Sequence, residues 1–294
     1  MKSGVKRTTP YKAISIIILV ILAILFLFPL YWIVTGAFKP TTDIYASQPV
    51  WWPSEWVTSN FEKLFTKRSA PLFEIGALVG PTVPAAIRWL VNTVFMSVAA
   101  MLLTCITAAM AGYALAKKRF VGRALLFSLI ICAMALPKQV ILIPLLKEMS
   151  ALKLYGSLWA VIFPTVGWPF GVFLMKQFCE GVPGEMLEAA RIDGASEART
   201  FTQIVVPLIK PGIGALAIFT FINSWNDYFM QLVMLPNSAN FTISLGIATL
   251  QGESSVDTGL LMSGAALAAV PIIVVFLIFQ KYFTQGITMG AVKG

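Results

Sequence analysis

The chain has 294 residues, of which 58% are hydrophobic and only 12% are Asp, Glu, Lys or Arg, about half the charged share of an ordinary globular domain. A soluble chain of this length cannot bury that much apolar surface in one or two cores, so this is a membrane protein. The net charge of +9 sits in short basic groups at the ends of apolar runs, which is a topology signal and excludes nucleic acid as the partner.

Residues 1–12 form a short basic segment (Lys2, Lys6, Arg7, Lys12). Residues 13–38 follow as an apolar run of about 25 residues, too long for a signal-peptide core and without a clear cleavage site, and read as a first transmembrane helix. Pro29 is tolerated there, since membrane helices accept proline. The segment 39–84 is rich in proline and carries Trp51, Trp52 and Trp56. It reads as an extracytoplasmic loop with a few short helices and no independent domain. Its indoles suit the membrane interface, with substrate contact as the alternative.

Residues 85–283 read as a core of five further spans. Span two, 89–116, holds the small-residue run Ala108-Ala109-Met110-Ala111-Gly112-Tyr113-Ala114, which permits close helix approach. A basic turn (Lys117, Lys118, Arg119, Arg123) leads to span three, 124–146, with Pro137 and Pro144. Span four, 158–178, has Pro164, Gly167, Pro169 and Gly171 in its middle. Span five is 213–235 and span six is 264–283, ending in a tail, 284–294. Between spans four and five lies a polar hairpin, 183–212. Pro183 can start a helix, Gly194 can end it in the left-handed conformation, Ser196 can cap a second helix, and Pro207 is expected to stop that one. Five of the chain's 13 acidic residues (Glu180, Glu185, Glu188, Asp193, Glu197) lie in or next to it.

With the N-terminus inside, the inner segments carry 14 of the 22 Lys and Arg residues. Both termini and the 183–212 hairpin are therefore expected on the cytoplasmic side of a bacterial plasma (inner) membrane.

No G-x-x-x-x-G-K-[ST] phosphate cradle occurs, so the chain is expected to bind no nucleotide in that manner and no other cofactor. It has no histidine, the commonest general base and metal ligand. Three scattered cysteines, Cys105, Cys132 and Cys179, have neither zinc nor disulfide spacing and read as packing residues. No nucleophile–base pair stands out, so no catalytic or metal residue is expected. Among acidic groups only Asp227 falls inside an expected span, which leaves ion coupling poorly supported.

What remains is a translocation subunit powered by another protein. The run EAARIDGASEARTFTQIVVP, 188–207, resembles the EAA loop, E-A-A-x3-G-x9-I-x-L-P, of binding-protein-dependent ABC importer permeases; Val206 stands where leucine is usual. Asn223-Ser224-Trp225-Asn226-Asp227-Tyr228 is similar to a stretch of the carbohydrate permeases of the maltose type. The ending QGITMGAVKG, 285–294, is similar to the tail of their smaller subunit.

The resemblance implies an all-α polytopic protein with the type I ABC importer fold, paired with a second homologous permease subunit in a heterodimer. It also implies two ATPase subunits that bind ATP and Mg, an extracytoplasmic solute-binding protein, and a sugar, of di- or oligosaccharide size, as the solute moved by alternating access. Glycerol phosphate, a polyol or another solute remains the alternative, and an ion-coupled carrier the remote one.

In residue terms, Glu188, Ala189, Ala190, Asp193 and Gly194 are implied to dock on an ATPase subunit, with Glu188 ion-paired to an arginine and the two alanines small enough for close seating. Gly290, Lys293 and Gly294 are implied to touch the ATPase through the tail, a frayed terminus being the other reading. Asn223, Trp225, Asn226 and Asp227 are candidates for a sugar path or for the partner-permease interface. Asn223, Asn226 and Asp227 are expected on one helix face by their spacing, and the resemblance implies that the longer partner makes the main sugar contacts.

Overall fold

A computed structural model describes residues 10–75, 78–252 and 257–291, and in the helical 281–291 the backbone only. The chain begins with a 28-residue helix, α1 (Pro10–Ala37), that runs through Pro29. Its apolar side chains from Ile14 to Phe28 are exposed, as lipid-facing residues are, and it packs on the last helix and, through Phe28 and Trp32, on Trp51 of the following segment. Two short helices follow, α2 (Thr41–Ile44) and α3 (Ser59–Thr66).

The segment 39–84 also holds strands that the sequence reading did not anticipate. β1 (Ser69–Pro71) pairs antiparallel with β4 (Thr82–Pro84), and β2 (Glu74–Ile75) pairs with β3 (Leu78–Val79). Bonds from Leu72 N to Pro81 O and from Gly80 N to Phe73 O, each 2.9 Å, join the two ladders into one arm. Prolines hid this arm from a propensity reading, yet a two-stranded ribbon consists only of edges, where a missing N–H is tolerated.

The central element is α4 (Ala85–Lys117), 33 residues long. Around it pack α7 (Trp159–Val166), α8 (Pro169–Glu180), α12 (Lys210–Asn226) and α14 (Ile243–Thr249). The last helix, α15 (Thr258–Ala291), packs on α12, α1 and α3. The small-residue run of α4 allows the expected close approach. A Cβ on Gly112 would lie 2.7 Å from Lys176 N and from the carbonyl carbon of Met175, so α4 and α8 meet backbone to side-chainless backbone. At the other side of that crossing Gly171 faces the Cβ of Ala108. Near the opposite end of α4 the Trp89 indole covers Gly246, where any side chain would collide with the ring.

Three spans differ from straight rods. Span three is a pair, α5 (Arg123–Met134) and α6 (Lys138–Ala151), bent by 108°. The residue before a proline is pushed out of the α region, and Pro137 ends the first helix and precedes the second;. Twelve residues of α5 reach only about 18 Å, short of a hydrocarbon core about 30 Å thick. Span four is interrupted at Gly167–Trp168, between α7 and α8.

The helix leading into span five continues past Pro207 instead of stopping there. α10 (Glu197–Thr200) passes into a π-helical turn, Phe201–Val205, and then α11 (Val206–Leu208). The wider i→i+5 bonding, Val206 N to Phe201 O, shifts the register just before the residue that has no N–H to give;. The bend comes two residues later, at Ile209, where α12 leaves at 77°. Among the described residues four helices are long and apolar enough to cross a membrane, and up to six spans result if each bent pair is counted as one.

Cys105 and Cys179 are buried and Cys132 is exposed, all three as free thiols.

Candidate functional site

The hairpin begins with α9 (Gly184–Ile192), whose N-cap position is Pro183. Its end is a Schellman motif: Ala195 N donates to Ala190 O at 2.9 Å and Gly194 N to Arg191 O at 3.0 Å. Gly194 holds φ at +73° to make this possible;. Ser196 Oγ then accepts from Arg199 N at 3.3 Å and caps α10.

α9 has two faces. Leu187 and Ala190, three apart, are buried against the chain itself, Leu187 in a cluster with Cys179, Val182, Val205 and Ile209. Ala190 is therefore small for intramolecular packing, a correction to its expected place beside Ala189 on the docking face. Glu185, Met186, Glu188, Ala189, Ile192 and Asp193 are exposed. Ile192 is 86% exposed. Among the described residues Glu188 and Asp193 make no side-chain hydrogen bond or ion pair.

The hairpin is fastened to the end of α4 by three side chains that the sequence reading did not single out. Lys117 Nζ donates to Glu180 O at 3.1 Å and to Val182 O at 2.6 Å, placing a cation on the orphan carbonyls at the end of α8;. Lys118 Nζ and Tyr113 OH both bond Glu197 Oε2. The hydrogen bond from Lys118 holds the Glu197 carboxyl below its ordinary value, with further help from Tyr113 and from Arg191. Lysines ending an apolar span were visible as a topology signal, but their partners lie 63 or more residues away.

The second group of expected residues lies where α12 ends. Asn226 is the last residue of α12, and Asp227 (φ −77°, ψ 63°) breaks the chain and starts α13 (Tyr228–Met234), its Oδ1 accepting from Met230 N at 3.3 Å. Asp227 keeps a helical φ, so Asn223 and Asp227, four apart, still point to one side as their spacing predicts, and the chain leaves the path of α12 only after Asp227;. Trp225 is 1% exposed, packed with Phe221, Trp89 and Ile243 inside the chain's own core, so its indole is not offered to a solute in this conformation. Asn226 is exposed and donates to Ile222 O.

The residue that completes this site is Lys138, the first of α6. Its Nζ lies 3.1 Å from Asp227 Oδ2 and 3.3 Å from Asn223 Oδ1. The signal for it was a lysine inside the expected span 124–146. In the tail, the backbone of α15 stays helical through Gly290 to Ala291, and Lys293 and Gly294 lie outside the described residues. No group of three or more His, Cys, Asp or Glu side chains arranged to hold a metal exists among the described residues.

This architecture of bent spans around a two-faced hairpin corresponds to a recognised family. Residues 106–289 match the family described as the binding-protein-dependent transport system inner membrane component. The chain belongs to that family. Its relatives include an arabinooligosaccharides transport system permease protein of Halalkalibacterium halodurans, 34% identical over 275 residues that make up 93% of either chain. A trehalose transport system permease protein of Mycobacterium tuberculosis is 30% identical over 99% of this chain and 100% of its own. Among solved structures, a bacterial ABC transporter involved in the import of the acidic polysaccharide alginate superposes with a TM-score of 0.74. That likeness covers 96% of this chain and 100% of the other at 20% identity, and shows that the fold is that of a type I ABC importer permease.

Proposed function

We propose that this permease subunit carries a neutral sugar of di- or oligosaccharide size across a bacterial plasma membrane, with both of its termini in the cytoplasm. Its relatives are permeases for arabino-oligosaccharides and trehalose, which supports the solute class. The energy comes from ATP hydrolysis on two separate ATPase subunits, which hold the nucleotide and Mg. A second, homologous permease forms the other half of the pathway, and an extracytoplasmic binding protein delivers the solute. The chain itself makes and breaks no covalent bond.

The observation that carries this reading is the outward face of α9. An isoleucine almost fully exposed at the end of a nine-residue helix, beside a Glu188 unpaired among the described residues, is what a docking helix presents before its partner is added;. Burying such a side chain stabilises a contact by about 2 kcal/mol, and a desolvated Glu188–arginine pair fixes register. Because the hairpin is fastened to α4 by Lys117, Lys118 and Tyr113 and leads through the π turn into α12, displacement of α9 by a closing ATPase dimer moves the core helices as a body. The cavity then opens outward, receives the solute, and returns after hydrolysis.

The test is Glu188→Arg, with Gly194→Asp as its companion, in the complete complex reconstituted in liposomes. Loss of ATP-driven uptake with the permease still inserted is the expected result. Unchanged uptake and unchanged ATPase co-purification in both variants would overturn the coupling role.

A further inference from the structure

The ion pair at the two helix breaks is out of place for a protein surface facing lipid. α12 has 17 residues from Lys210 to Asn226, about 25 Å along its axis, which puts Asp227 within reach of the far edge of a hydrocarbon core about 30 Å thick. Lys138 follows the sharp bend between α5 and α6. Around it α5 and α6 expose Leu129, Ile131, Met134, Val140 and Ile143. The side chain of Lys138 is nevertheless 48% exposed and that of Asp227 19%. A charge at this depth is tolerated only where it faces water or protein, so the pair marks a side of the subunit turned away from lipid.

The cluster has hydrogen-bonding capacity left over. An ammonium has three N–H donors, and two of those on Lys138 are engaged, by Asp227 and Asn223. The carboxylate of Asp227 accepts from Lys138 and from Met230 N, two of about four available positions. The two N–H groups of the Asn223 amide have no partner among the described residues. Donors and acceptors therefore stand side by side with a net charge of zero. Hydroxyl groups, each one donor and two acceptors, match that set. A carboxylate or phosphate would have to displace Asp227 from Lys138 and leave a half-buried carboxylate facing an anion, a costly arrangement.

We propose that Lys138, Asn223 and Asp227 form a contact site for an uncharged, hydroxyl-rich solute on the translocation path, and that the pairing of Lys138 with Asp227 discriminates against anionic solutes. This rests on the sugar-importer reading and adds to it a solute contact in this subunit. Asn226, exposed one residue before the break, lies beside the site.

The experiment uses the full complex with its ATPase subunits and binding protein in nanodiscs, carrying Cys132→Ser and either Asn223→Cys or Lys138→Cys. The rate of modification by a membrane-impermeant maleimide is read during ATP turnover. The probes are trehalose, arabinotriose and an alginate trisaccharide. Both cysteines should react, and the neutral probe that the wild-type complex transports best should slow the reaction about fivefold at about four times its dissociation constant, the free fraction of a single site. In Asn223→Cys, which keeps the Lys138–Asp227 pair, the alginate trisaccharide should leave the rate unchanged. Unreactive cysteines in an assembled complex would place the cluster in the partner-permease interface and overturn the proposal. Reaction without protection by the transported probe, or equal protection of Asn223→Cys by the acidic one, would overturn it too. ATP-driven uptake by the wild type is measured in parallel. Its absence for every neutral probe would refute the sugar-importer reading itself and remove the basis of the site.

Discussion

The hairpin 183–212 and the helix breaks around Asp227 both present polar groups at the ends of spans, but they spend them differently. On α9 the inward residues Leu187 and Ala190 are satisfied by packing, while Glu188 and Ile192 are left facing out, Glu188 with no hydrogen bond or ion pair among the described residues. At the breaks the charges are already paired within the chain, Lys138 to Asp227, and what is left over is neutral hydrogen-bonding capacity. The first arrangement suits a permanent macromolecular partner, whose apolar groove and counter-charge complete it. The second suits a transient small one, since nothing charged is left waiting for compensation.

Both regions hang on one stem, the α4–α8 crossing, against which α12 also packs. Gly112→Val should break that stem, because the added methyls must enter the backbone of Met175–Lys176. A destabilisation of about 3 kcal/mol is expected, read as a lowered melting temperature of the solubilised subunit and as loss of both hairpin docking and solute contact. Ile192→Asp should separate the two regions. It should weaken ATPase co-purification by about 2 kcal/mol, the burial of one isoleucine, while the thermal stability of the permease alone stays unchanged.

A smaller effect is expected from pH, measured as the melting temperature of the solubilised subunit. The Glu197 carboxyl is held below its ordinary value of 4.5, first by the hydrogen bond from Lys118. A lowered carboxyl pKa stabilises the folded tie above the ordinary value and loses that stabilisation as pH falls through the lowered one. Relative to Lys118→Met, the wild-type melting temperature should therefore stay higher from neutrality down to pH 4.5, and the gap should close below it. The smallest effect belongs to Ser196→Ala, about 1 kcal/mol for a lost N-cap. It should appear as about fivefold faster amide exchange confined to α10.

Much of the hairpin was legible because its determinants are local. Gly194 must take positive φ to end α9, Ser196 must cap α10 three residues before Arg199, and both are read within one turn of chain. The close approach at Gly112 was legible as a run of small residues, though not its partner. The outer cluster was not legible as a cluster. Its bonds to Lys138 join residues 85 and 89 apart; helix spacing put Asn223 and Asp227 on one side, but the break at Asp227 carries no proline or glycine to announce it. Trp225 could be read as a sugar platform only while Phe221 and Trp89, which enclose it, were unknown. The strands of the 69–84 arm were hidden for a similar reason, since a ribbon made of edges admits the prolines that argue against strands elsewhere;.

The central claim is that α9 is the seat of an ATP-driven partner, and Ile192→Cys tests it most directly. In the assembled complex a short bifunctional maleimide should cross-link this cysteine to a cysteine scanned along the ATPase cleft, and the yield should change between nucleotide-free and ATP-trapped states. A freely labelled Ile192→Cys that cross-links to no ATPase position in a complex actively transporting solute would contradict the account.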